Sequence, residues 1–134
     1  METLTIPTHE FNEMVDITNQ VQRAVSRAAL EQGAVLVYSP HTTAAIVVQE
    51  GADPNVAHDL LARLQELAPR RRPQDRHAEG NSDAHLKTAL LGCSQIIPLA
   101  DGRLVLGAWQ SIFLAEFDGP RTRRVLLTMM PAAG

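Results

Sequence analysis

The feature that most constrains this chain is its last third. Four apolar runs, residues 94–99, 104–108, 110–117 and 125–130, are broken by the turns Ala100-Asp101-Gly102 and Asp118-Gly119-Pro120. Asp-Gly between apolar runs suits the positive backbone angles of a two-residue hairpin, so the pattern predicts an antiparallel meander. Upstream the period changes. Val21, Ala24, Val25, Ala28 and Ala29 recur at three- and four-residue spacing, which predicts a helix from an Asp16 or Thr18 cap to Gly33. Asp53 followed by Pro54 marks a second helix start, with Val56, Leu60, Leu61, Leu64 and Leu67 on one face as far as Pro69. Asn81, Ser82 and Asp83 are all good N-caps for a third, short helix over residues 84–91 that Gly92 ends.

Between the helices, residues 34–38 and 43–48 read as buried strands. Leu4 and Ile6 suggest a first strand interrupted at Pro7, before a turn near Asn12 and Glu13. Two to three helices with a largely antiparallel sheet, and no regular βαβ alternation, make the class α+β, a single compact domain over residues 1–134. The length and 45% hydrophobic content suffice for one core. Twelve basic and fifteen acidic residues give a net charge of −3, with no general pull toward nucleic acid or an anionic membrane. No run approaches membrane-spanning length and the N-terminus has no signal pattern. Cys93 is the only cysteine, so no disulfide framework forms and a reducing cytoplasm is expected. Just after a helix end and without a basic neighbour in sequence, it reads as an inert buried thiol.

Function concentrates in His77-Ala78-Glu79-Gly80-Asn81-Ser82-Asp83-Ala84-His85, which packs two imidazoles and two carboxylates beside small polar residues. His85 lies in a helix first turn, where free N–H groups and the positive end of the dipole favour a neutral ring ready to bind a metal, and where an anion is also welcome. His41 follows Ser39-Pro40 at the mouth between two strands, beside Thr42 and Thr43. His9 and His58 read as ordinary surface residues. Convergence of His41, His77 and His85 would make an open three-ligand metal site, and the competing reading is histidines that satisfy loop backbone hydrogen bonds. The spacing alone does not choose between them. Arg70, Arg71, Arg72 and Arg76 belong to a solvated loop or flap between residues 69 and 80.

Five ordered blocks carry a resemblance: Ser39-Pro40-His41-Thr42-Thr43-Ala44; Gln49-Glu50 with Asp53-Pro54; Gly80-Asn81-Ser82-Asp83-Ala84-His85-Leu86; Leu106-Gly107-Ala108-Trp109-Gln110; and Glu116-Phe117-Asp118-Gly119-Pro120-Arg121. Nearly end to end, they resemble the YjbQ family, described as secondary thiamine-phosphate synthases. The arginine-rich loop before His77 departs from the family pattern. The resemblance implies a compact α+β fold, a homotrimer, a metal site on His41, His77 and His85 with zinc as the first choice among divalent ions, and a weak synthase activity on phosphorylated small molecules.

Within that frame Glu50 and Asp83 are the catalytic candidates. Glu50 could accept a hydrogen bond from an imidazole or act as a base, against the plain reading of a strand-end carboxylate in water. Asp83 could orient a ligand to His85, or simply cap the helix. Asn81, Ser82 and Gln110 are candidates for holding substrate, and Trp109 for core or interface packing. Glu116, Asp118 and Arg121 flank a tight turn as a structural ion pair. Two other functions stay open: metal-dependent phosphoester hydrolysis, and a non-enzymatic trimeric metabolite-binding protein.

Overall fold

The computed structural model describes residues 1–133. Its elements are β1 (Glu2–Pro7), β2 (Glu13–Asp16), α1 (Thr18–Ala28), β3 (Gly33–Tyr38), β4 (Ala44–Glu50), α2 (Pro54–Leu67), α3 (Ser82–Leu91), β5 (Ser94–Ala100), β6 (Arg103–Leu104), β7 (Gln110–Glu116) and β8 (Thr122–Pro131). Two sheets share the strands, one ordered β1-β8-β3-β5-β6 and the other β2-β7-β4, with every pairing antiparallel. The class is α+β, as the periodicities predict.

Alternation decides what each strand buries. Val35 and Val37 of β3, Ile97 and Leu99 of β5, and Val125 and Leu127 of β8 point one way and meet Ile46, Ile112 and Leu114 of the smaller sheet in the main core. Val21, Ala24 and Val25 of α1 join that core. The other face of the smaller sheet carries Ala45, Ala115 and Phe117, on which Ala84 and Leu91 of α3 and Leu61 and Leu64 of α2 pack. The molecule is therefore layered: large sheet, core, small sheet, then α2 and α3. The outer face of the large sheet has no such cover and leaves Tyr38, Ile96 and Met130 exposed.

Four expectations need correction, the first being the strand over residues 104–108, of which only Leu104 lies in a strand, the two-residue β6. The last third is not a meander, because β7 pairs with β2 and β4 while β8 crosses to lie between β1 and β3. A turn signal identifies where the chain reverses but not which sheet receives the next strand. Residues 13–16, expected in or after a turn, form β2, too short a run to show alternation. Finally α1 stops at Ala28, with Ala29 in the left-handed conformation as its C-cap, and Gly33 instead opens β3.

The predicted caps are partly used. Asp53 accepts from the Asn55 N–H at 2.9 Å, and Asp16 accepts from both the backbone and the hydroxyl of Thr18. Asn81 occupies the N-cap of α3, yet its side chain makes no capping bond. Gly92 ends that helix as expected. Among the described residues, no helix is long and apolar enough to cross a membrane.

Candidate functional site

Two crossings between the sheets coincide at one end of the molecule. The β3–β4 connection brings His41, Thr42 and Thr43, the β7–β8 turn brings Asp118 and Arg121, and the segment entering α3 brings His77, Glu79, Asn81 and His85. Together with Pro40 and Arg123 they line an open cavity of about 430 Å³. All three predicted histidines are in it. The rings of His77 and His85 stand edge to face, with centroids 5.4 Å apart.

A buried ionic frame holds this cavity in shape. Glu116 is fully buried and pairs with Arg123, whose Nε donates to Oε1 at 2.8 Å while its Nη2 reaches Oε2. Thr8 also donates to Oε1 and the Asp118 N–H to Oε2. Burial by itself would raise the Glu116 carboxyl, but these hydrogen bonds and the guanidinium charge outweigh it and hold the group below its ordinary value of 4.5. Arg123 also donates to the Thr43 hydroxyl at 2.9 Å, tying β8 to the histidine loop. Asp118 accepts from Arg121 Nη2 at 2.7 Å and from Asn81 Nδ2 at 2.8 Å.

His41 is fixed by the backbone. Its Nε2 accepts the Arg124 N–H at 2.9 Å, and its own N–H donates to the Ser39 hydroxyl. Burial first, then the charges of Arg123 and Arg124, hold the imidazole below its ordinary 6.5 despite the Glu116 carboxylate, so near neutral pH it is uncharged with the proton on Nδ1. His41 thus satisfies a backbone N–H, that of Arg124 in β8. His77 is exposed, with Glu79 3.9 Å from its Nε2. Among the described residues no three His, Cys, Asp or Glu side chains stand close enough to hold a metal ion as they are placed. The donor chemistry still fits in part: His77 and His85 are neighbours, and His41 joins them only by giving up the Arg124 amide.

The remaining candidates fall elsewhere. Glu50 and Gln110 face each other across the far end of β4 and β7, about 20 Å along the strand from the Thr43 end. Gln110 accepts from the Gly107 N–H within its own turn. Trp109 is 66% exposed, which removes the core option. Ser82 and Asp83 line a separate cavity of about 330 Å³ with Arg71 and Arg72. Asp83 is buried with Lys87 Nζ 3.7 Å away, and it neither caps α3 nor reaches the histidines. The arginine loop is mostly exposed, as expected, with Arg70 stacked on Phe11, Arg72 paired with Asp75, and Arg71 beside Gly80.

Cys93 requires a further correction. It is exposed, not buried, and shares a cavity of about 340 Å³ with His41, His85 and Thr88. It lies between the end of α3 at Leu91 and the start of β5 at Ser94. Arg121 pairs with Asp118 as expected, whereas Glu116 pairs with Arg123, a residue that no sequence motif singles out. Two basic residues opening an otherwise apolar strand were the available signal.

Comparison with known proteins places these observations. The model of the family described as UPF0047 protein YjbQ-like matches residues 2–132. UPF0047 protein YugU of Bacillus subtilis is 46% identical over 130 residues, covering 97% of this chain and 98% of the relative. Among solved structures, the conserved hypothetical protein TT1486 of Thermus thermophilus is 53% identical with a TM-score of 0.91, covering 97% of this chain and all of that one. A YjbQ/UPF0047 family structure from Clostridium acetobutylicum, 41% identical and equally complete in coverage, reaches a TM-score of 0.94.

Proposed function

We propose, on the premise that this chain belongs to the UPF0047 YjbQ-like family, that the cavity of His41, His77 and His85 binds a phosphorylated small molecule and acts on it as a thiamine-phosphate synthase. One observation carries the reading: three imidazoles, two threonines and Arg121 come from separate segments to one open cavity. The Nδ1–H of His41 and the guanidinium of Arg121 supply donors for an anion, and the threonine hydroxyls add two more.

In the synthase reaction the ring nitrogen of a thiazole phosphate attacks the methylene carbon of a pyrimidine pyrophosphate, and the carbon–oxygen bond to pyrophosphate breaks. The demand on the protein is stabilisation of the departing anion, which preorganised donors meet without reorganising during the step. His41 and Arg121 are preorganised by Arg124 and Asp118 respectively. A divalent ion, zinc first, would be held by His77, His85 and a His41 released from the Arg124 amide, and His41 would then serve the ion in place of donating to the anion. When bound it would supply positive charge to the same anion. The first-turn N–H groups of α3, left without a side-chain cap, offer a further place for phosphate.

We propose a cytoplasmic location, on the single cysteine, and a homotrimer, which the family resemblance implies and for which the apolar outer face of the large sheet, with Ile96 59% exposed, offers an interface. The test of activity is turnover by zinc-supplied and chelator-treated protein on pyrimidine pyrophosphate plus thiazole phosphate, with simple phosphoesters alongside. Thiamine phosphate formed only from the first pair supports the synthase. Hydrolysis of the simple esters instead would make the protein a phosphoesterase, and tight binding without turnover a metabolite-binding protein.

A further inference from the structure

We infer that the histidine cavity continues into a second anion subsite at Arg71, so that its ligand carries two linked phosphates, as in a diphosphate ester or inorganic pyrophosphate. The inference rests on the reading of the histidine cavity as a phosphate site and adds a residue for the second phosphate. A cavity of about 170 Å³ adjoins the first, and His77 and Glu79 line both. Arg71, Arg72, Asp75 and Gly80 belong to the smaller one alone of these two.

The charges lining this smaller cavity are not equivalent. Arg72 Nε donates to Asp75 Oδ1 at 3.2 Å, so those two satisfy each other. Among the described residues Arg71 has no acidic partner; the other ion pair of the segment is His77 with Glu79. The Arg71 guanidinium lies face-on against Gly80 instead, with Nε, Cζ and Nη2 at 3.7, 3.8 and 3.8 Å from the point a Cβ would occupy. A point so nearly equidistant from three atoms of a planar group lies over the plane, and contact through the face leaves the in-plane N–H donors free. Gly80 has φ +70°, a conformation that favours glycine, so the backbone platform under the guanidinium stays bare. Arg71 is thus exposed, held in place and unpaired at the cavity wall, and its planar fork matches two oxygens of one phosphate. Glu79, the carboxylate here that no arginine holds, opposes an anion from the boundary between the two cavities.

Calorimetric titration of the intact chain with inorganic phosphate and with inorganic pyrophosphate tests this. Pyrophosphate should bind about tenfold tighter or more, the difference made by charge-assisted hydrogen bonds to one further group. Arg71→Gln should abolish that advantage and leave phosphate affinity unchanged. Arg76→Gln should keep it, since Arg76 is also exposed in the same loop but lines neither cavity. Glu79→Gln, which removes the opposing charge, should tighten pyrophosphate. Equal binding of the two anions by the natural protein overturns the inference and leaves the phosphate reading standing. An advantage that persists in Arg71→Gln, or that falls equally in Arg76→Gln, overturns the subsite, the second case because the loop's general charge would then account for the preference. Binding of neither anion overturns both the inference and the phosphate reading beneath it.

Discussion

Arg123 enters the molecule from the start of β8 and meets the fully buried Glu116 while remaining only 4% exposed itself. The pair is worth having only while it is complete, since removing one partner leaves the other buried and uncompensated. Glu116→Gln should therefore cost about 3–5 kcal/mol at neutral pH by urea unfolding. The pH dependence has a definite sign. The folded carboxyl titrates below 4.5, so its contribution is complete above that value and drains away as pH falls through the lower folded one. The gap between natural protein and variant should thus be full at neutral pH and shrink as the pH falls below 4.5. A gap independent of pH would assign the loss to packing. His41, His77 and His85 were legible because histidines are few here and these three sit among small polar residues and glycine. Arg123 was not, since its importance lies in a partner, Glu116, brought near only by the β7–β8 crossing.

Helix α3 shows what periodicity misses at the scale of an element. An apolar reading of residues 84–91 would bury Leu86 and Leu90, but they are 48% and 63% exposed, and the inward face is Asp83, Ala84, Lys87 and Thr88. Lys87 is 1% exposed; its Nζ donates to Gln65 of α2 at 2.9 Å and lies over the Phe117 ring. Burial lowers its pKa and the Asp83 carboxylate works against that shift. Lys87→Met alone should cost about 3–5 kcal/mol by leaving Asp83 unpaired. The double variant Asp83→Leu with Lys87→Met should recover most of that loss, which a double-mutant cycle measures directly. No recovery would mean that Lys87 acts through Gln65 and not through Asp83. Most strands were legible from alternation and turn chemistry, β2 and the two-residue β6 excepted, and Asp53 from its proline neighbour. Their division between two sheets was not, because a local turn carries no information on long-range pairing.

For the whole molecule, the layers leave one sheet face and one helix face apolar and open. Tyr38, Ile96 and Met130 stand on the first and Leu86 and Leu90 on the second. The homotrimer proposal gives these surfaces a use, and Ile96→Lys should then yield monomers by light scattering while circular dichroism stays unchanged. A natural protein that is already monomeric at micromolar concentration would remove the proposal. The central claim concerns the other end of the molecule, where the sheet crossings gather three of five histidines. Nuclear magnetic resonance of the histidine rings during titration with inorganic phosphate tests it most directly. The ring signals of His41, His77 and His85 should move together along one saturable curve while those of His9 and His58 stay still. Signals that move for none of the three, or equally for all five, would contradict a phosphate site in this cavity.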